Sequence, residues 1–192
     1  VITAVGHVPD ADRCVTPDLM GPGNALLLIG STETEFAGSH LDMVNGQPPD
    51  PGVAPAPDPD AADHYKHLHA AMQAGLIVSC HDVSEGGLAV AIAEMCIAGR
   101  LGASISELPH DDVVTSLFAE SVGRLVVEVE ERSVAAFMRI MDDDALRLGE
   151  VSESGLLSLP HVEPILIDDL VDAFNVYATA SAVPAPSEGG VQ

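Results

Sequence analysis

Apolar positions along the chain alternate between short continuous runs and helical spacing. Leu26, Leu27, Leu28 and Ile29 form a run between the turn-forming Gly21-Pro22-Gly23-Asn24 and Gly30, the pattern of a strand buried on both faces. A short helix is predicted from Ser39 to Val44. From Asn45 to Pro59, Pro and Gly are too dense for a regular element, so this stretch is a surface loop or the internal linker nearest to a boundary. Asp58 then suits a helix cap and Pro59 a first turn. Ala61, Tyr65, Leu68 and Met72 recur at helical spacing until Gly75 stops the run. Leu76 to Cys80 is a predicted strand and His81 to Gly87 a turn. Leu88 to Ala98 is a helix apolar almost all round, with Glu94 its only charge, and must be buried on most faces.

The second half continues the pattern. Gly102 to Glu107 is strand-like, and Val113, Val114, Leu117 and Phe118 give one face of a helix ending near Glu120. Leu125, Val127 and Val129 alternate with Arg124, Glu128 and Glu130, which predicts a half-buried strand. Val134, Phe137, Met138 and Met141 stripe the next helix. Strands near Leu146 to Val151 and Leu156 to Leu159 precede a last helix, capped by Asp168 and burying Leu170 and Phe174. The opening VITAVGHV is strand-like, and the closing ATASAVPAPSEGGVQ reads as a disordered tail. Strands and helices mix as expected of α/β or α+β layering, with helices covering a mixed sheet.

With 192 residues, 47% of them hydrophobic, and a mean hydropathy of +0.26, the chain can bury one substantial core. Its apolar runs are short and its start lacks a basic flank and a cleavage site, so a soluble cytoplasmic protein is expected. The missing initiator Met suggests a piece of a longer polypeptide. Cys14, Cys80 and Cys96 form no CxxC pair, which speaks against a disulfide framework or a cysteine zinc site. Thirty acidic residues against seven basic ones, a single lysine (Lys66) among them, give a net charge of −23, which repels nucleic acid and anionic membranes. The scatter of these acids through a folded chain fits a salty cytoplasm, where self-repulsion is screened.

Candidate chemistry centres on Val78 to Leu88, VSCHDVSEGGL. Gly86-Gly87 between a strand and a helix could let backbone N–H groups approach a phosphate, or could serve only close helix-to-sheet packing, with Ser84 or Glu85 complementing the helix end. Asp82 and Glu85 would repel a bare phosphate unless a metal ion lay between them. Adjacent residues on a strand point to opposite faces, so Cys80 and His81 cannot readily pair for thiol catalysis. His81-Asp82 suits acid–base work or metal binding, or a polar tie across the turn. His64, His67 and His69 read as surface histidines, since only the first two share a helix face. Asp142-Asp143-Asp144 reads as a solvated helix end. Glu120-Ser121 could offer a carboxylate and a hydroxyl to a ligand, or could cap and turn.

Three segments in this order and spacing, LLLIGSTETEFAGSHL, AGLIVSCHDVSEGGLAVAIAEMCIAGRLGASI and LFAESVGRLVVEV, closely resemble the C-terminal end of the phosphoribosylformylglycinamidine synthase large-subunit family. Aminoimidazole ribonucleotide (AIR) synthase and selenophosphate synthase belong to the same superfamily. The resemblance covers residues 1 to 177 and leaves 178 to 192 as the tail. It implies an α/β (α+β) fold: a three-layer α-β-α lobe with a mixed sheet, like the AIR synthase C-terminal domain and distantly ferredoxin-like. It also implies a ligase of purine biosynthesis using ATP, magnesium and glutamine-derived ammonia. The family's catalytic histidine, its phosphate-handling lysine and most of its magnesium carboxylates lie upstream of the matching part, so no catalytic residue is expected here, the isolated piece should be inactive, and no cofactor should bind it tightly. Positions similar to ligand-facing motifs are His81, Asp82, Ser84, Glu85, Gly86, Gly87, Glu120 and Ser121. A Glu-Ser-Gln segment contacts the nucleotide substrate in the pseudo-equivalent lobe, whereas Val122 here lacks the amide. Support of a partner domain, or a non-catalytic nucleotide site, follows as the expected role. Implied partners are N-terminal domains of the same polypeptide, a glutamine amidotransferase subunit, a small accessory subunit and, through an exposed apolar flank, a second copy. A free-standing structural module and another enzyme of the superfamily are the alternatives.

Overall fold

The computed structural model describes residues 3, 5–8, 10–46 and 52–180. The Leu26 run forms β1 (Ala25–Ile29), buried at all five positions because it lies inside a sheet covered on both faces. Around it lie β2 (Ile77–Asp82), β3 (Gly102–Ile105), β4 (Leu125–Val129), β5 (Leu146–Ser152), β6 (Leu156–Ser158) and β7 (Ile165–Leu166). The sheet order is β2-β4-β1-β5-β3-β6-β7, antiparallel throughout except for the β3–β6 pair. Leu27 pairs with Val127 and Leu28 with Val126 across β1 and β4.

Successive side chains of a strand point to opposite faces, so β1 and β4 feed two separate cores. Leu26, Leu28 and Val126 pack under α3 (Gly87–Gly99), α4 (Val113–Phe118) and α6 (Ile167–Ala180). Ala25, Leu27, Ile29, Val127 and Val129 pack under α2 (Ala61–Gln73) and α5 (Val134–Ile140). The result is a mixed sheet between two helical layers, the α+β, α-β-α architecture expected. α1 (His40–Val44) is a single turn capped by the Ser39 hydroxyl, which accepts the Asp42 amide hydrogen.

Several expectations are corrected. β4 is central rather than half-buried, and its polar neighbours are buried with it: Glu128 is fully enclosed and Arg124 is 1% exposed. Burial of such groups requires partners, and Glu128 has four. Its carboxylate accepts the Met20 and Gly21 amides at 2.9 Å, Asn24 Nδ2 at 2.7 Å and Ser79 Oγ at 2.8 Å. The register that sets Ser79 opposite Glu128 brings the last of these into reach. Asp58 organises the turn before α2 by accepting the Asp60 amide, while Asp60 holds the cap position. His81 and Asp82 end β2 instead of opening the turn. The unforeseen β7 moves the start of α6 to Ile167, so Asp168 lies in its first turn. Ile167 and Val171 then face the core, Leu170 is half-buried, and Phe174 is 53% exposed. Residues 3 and 5–8 of the opening run form no strand, and the rest of that run lies outside the described residues. The same holds for residues 47–51 of the Pro-rich loop, whose described part has no regular element after α1. α6 continues to Ala180, three residues past Tyr177, and residues 181–192 lie outside the described residues.

Candidate functional site

Two glycines shape the turn from β2 into α3. Gly86 and Gly87 have φ of 81° and 72°, a left-handed conformation that costs other residues energy. A Cβ on Gly87 would sit 2.7 Å from Ala119 O and 2.8 Å from Leu117 O, so its absence lets α3 press directly on the end of α4. The Gly87 amide closes the turn on Ser84 O at 3.1 Å, and the Val83 amide donates to Arg124 O at 3.0 Å. Into this corner comes Glu120, whose Oε1 accepts the Gly86 amide and the His40 amide at 2.8 Å each. The His40 ring lies 3.4 Å from the same oxygen. A carboxylate at the positive end of a helix is electrostatically favoured. It also takes an amide that a phosphate would need, and the neighbouring Gly87 amide is committed to Ser84. The Gly pair thus serves a close contact of α3 with the end of α4, where helix-to-sheet packing was expected.

Ser121 is buried and locked to the β1–α1 loop. Its Oγ accepts the Glu33 amide at 3.0 Å and donates to Glu33 O at 3.3 Å. Behind it lies Arg124, whose guanidinium donates from Nε to Ser121 O at 3.0 Å, from Nη1 to Thr32 Oγ1 at 2.9 Å and from Nη2 to Ala119 O at 2.5 Å. Burial pulls its pKa down to about 10, against the nearby Glu35 carboxylate, which holds it up; the group stays cationic at neutral pH. Glu35 is itself buried and accepts the Ala56 amide at 3.0 Å. Ser121 and Val122 line a groove of about 280 Å³ with Ser31, Glu33, Glu35 and Asp58. Thr32, Glu33, Glu35 and Arg124 do not stand out in the sequence. The one signal it offers is an arginine, rare in this chain, set immediately before an apolar strand.

The remaining sequence candidates stand elsewhere. His81 is 21% exposed on its side chain, with Nε2 2.9 Å from Glu94 Oε2 of α3 and Nδ1 3.3 Å from Asp82 Oδ1. Ser84 and Glu85 face solvent. The structure thus joins Gly86, Gly87, Glu120 and Ser121 into one unit and places His81 and Asp82 in a cluster with Glu94. Burial, with the Asp82 charge adding to it, pushes the Cys80 thiol up to about 11, and burial alone pushes Cys96 to about 12, so neither supplies a thiolate at neutral pH. His64 is not a surface histidine: it is 5% exposed, with Nε2 2.6 Å from Asp144 Oδ2 and Nδ1 3.5 Å from Asp58 Oδ2. It sits under the loop after α5, which a helix wheel drawn for α2 alone cannot show. Among the described residues, no three His, Cys, Asp or Glu side chains are grouped to hold a metal ion.

The family described as AIR synthase related protein, C-terminal domain, matches residues 21–161. The chain is 34% identical over 161 residues to phosphoribosylformylglycinamidine synthase subunit PurL of Lactobacillus helveticus (strain DPC 4571), covering 83% of this chain and 21% of that protein. Among solved structures it is similar to T. maritima PurL complexed with FGAR, with a TM-score of 0.71, 18% identity, and coverage of 84% of this chain and 30% of that one. It is also similar to T. maritima PurL complexed with ATP, with a TM-score of 0.67, 19% identity, and coverage of 84% and 28%. The chain thus spans about a fifth of the curated relative, and the structural likeness shows the fold. The segments that build the Gly86–Glu120 corner and the Arg124 network, from the Gly21 turn through β5, lie inside the matched span, and the chain belongs to the AIR synthase related protein C-terminal domain family.

Proposed function

We propose that this chain works as the C-terminal lobe of a phosphoribosylformylglycinamidine synthase, a cytoplasmic ligase that uses ATP and glutamine-derived ammonia to convert formylglycinamide ribonucleotide to formylglycinamidine ribonucleotide in purine biosynthesis. The observation that carries this reading is the 34% identity to a PurL subunit over 161 residues. Bound FGAR and ATP in T. maritima PurL support the substrate and the nucleotide. In this reading the lobe completes a cleft whose other wall is an N-terminal domain of the same polypeptide. His81, Asp82, Ser84, Glu85, Gly86, Gly87, Glu120 and Ser121 form or support its side of that cleft. A glutamine amidotransferase subunit, a small accessory subunit and a second copy of the synthase are the proposed partners.

The described residues do not fit magnesium or a triphosphate by themselves. No group of three His, Cys, Asp or Glu side chains among them is set to hold a metal ion, and the Gly86 and Gly87 amides are taken by Glu120 and Ser84. The inward bonding of Ser121 and Glu120, with Val122 in place of an amide side chain, favours a supporting role over direct substrate chemistry. The test is an assay of the complete polypeptide with its amidotransferase: ATP-dependent amidine formation is expected, with Glu120→Ala impaired. Turnover of a different superfamily substrate, or amidine formation by the 192-residue chain alone, would overturn the reading.

A further inference from the structure

We propose that Arg124 is the positioning residue of the site, acting through backbone to set the Ala119–Ser121 segment against the Thr32–Glu35 loop. This inference rests on the synthase reading and adds to it a residue that the ligand-facing positions do not include. Arg124 does not reach the groove as a ligand would, for it is 1% exposed. Its three donors go instead to two separate segments: Ser121 O and Ala119 O on one side and Thr32 Oγ1 on the other. Ser121 Oγ then closes the loop by exchanging two hydrogen bonds with Glu33 backbone. Glu120, which holds the Gly86 and His40 amides, stands between the two carbonyls that Arg124 grips.

The chemistry of the side chain fits that task. A guanidinium presents five donors in a fixed plane, so it can hold several acceptors at set separations, whereas a lysine ammonium is a point charge on a flexible stem. The backbone has made room for it. Gly30, at φ 88°, would place a Cβ 3.2 Å from Arg124 Cγ and 3.2 Å from Gly123 O. Glu35, itself 6% exposed, supplies the opposing charge without forming a direct pair, which leaves the fork free for the carbonyls. A buried charge with this arrangement organises two walls of one groove rather than filling core.

The experiment compares Arg124→Lys, Thr32→Val and the unaltered complete synthase in steady-state kinetics and thermal unfolding. Arg124→Lys keeps the charge and loses the fork. A rise of roughly tenfold in KM for the nucleotide substrate, with kcat changing far less and a lowered unfolding midpoint that still leaves the protein folded at the assay temperature, is expected from the loss of charge-assisted bonds. Thr32→Val, which removes one acceptor, should move KM the same way by a smaller factor. A folded Arg124→Lys enzyme with unchanged KM overturns the inference, and where Arg124→Lys does not fold, an unchanged KM in Thr32→Val does so. If the unaltered protein forms no amidine, the functional reading fails separately, and Arg124 is judged by amide hydrogen exchange in the same polypeptides. Exchange at Glu33 and Gly86 faster by roughly tenfold in Thr32→Val supports positioning, and unchanged exchange there refutes it.

Discussion

Glu120 Oε1 lies 2.8 Å from the Gly86 amide nitrogen and 2.8 Å from that of His40, so one carboxylate oxygen holds the start of α3 and the start of α1 together. The side chain is 15% exposed, which protects both bonds from full competition by water. Glu120→Ala should cost about 1–3 kcal/mol and speed amide exchange at Gly86 and His40 selectively. Glu120→Gln keeps an acceptor oxygen and should lose less. Denaturant unfolding combined with residue-resolved exchange checks both, and unaltered protection at Gly86 in the alanine variant would show that the carboxylate is dispensable.

Gly87 separates backbone strain from collision. At Gly155 φ is 68° and an added Cβ would meet no atom within 4 Å, so Gly155→Ala should cost only the left-handed penalty of about 1–2 kcal/mol. Gly87→Ala brings its Cβ within 2.8 Å of backbone atoms of Leu117, Phe118 and Ala119 and should cost about 3–5 kcal/mol. Equal unfolding midpoints for the two variants would contradict the close seat of α3 on α4.

Much of this architecture is legible in the sequence because periodicity reports burial directly. The Leu26–Ile29 run, the all-round apolar α3 and the Phe137 stripe each announce which faces are covered, and the structure covers them. What periodicity cannot show is partnership. The alternation around Glu128 looks the same whether its carboxylate meets water or four donors from Met20, Gly21, Asn24 and Ser79, three of which lie more than 100 residues away in sequence. The burial of His64 escapes a sequence reading for the same reason, its neighbours coming from the loop after α5. In the candidate site, Gly86, Gly87, Glu120 and Ser121 are legible as ligand-facing candidates, while the role of Arg124, although it lies in the same segment as Glu120, is not, because it is defined by two carbonyls and a threonine that no local pattern brings together.

Glu128 supplies a sharp stability test. The Glu128→Leu substitution would bury four donors without an acceptor and should cost about 3–5 kcal/mol. Glu128→Gln keeps the shape but turns one end of the group into a donor facing donors, at about 2–4 kcal/mol. Both should lower the urea midpoint at unchanged slope, since the native fold is retained. Asn24→Ala removes one of the four bonds and should lose less than either. A neutral Glu128→Leu would mean that the segment from Met20 to Asn24 is held by its apolar contacts alone.

Acid should weaken the fold through identified carboxylates. Hydrogen bonding from the Thr115 amide and hydroxyl holds Asp112, the cap of α4, below the usual carboxylate range. The Arg147 fork does the same to Glu131, and Lys66 to Asp63. A carboxyl whose folded pKa is depressed binds fewer protons folded than unfolded, so its contribution is complete above the unfolded value near about 4 and is lost as pH falls through the folded value. Stability should therefore be flat in this respect above about pH 5 and decline steadily below about pH 4. In Asp112→Asn the amide still caps but no longer titrates, so the wild-type advantage should shrink as pH is lowered and vanish once Asp112 is protonated. Urea midpoints for the two proteins measured across that range decide it: curves that stay parallel down to the acid limit would show that the cap's charge contributes nothing to the fold.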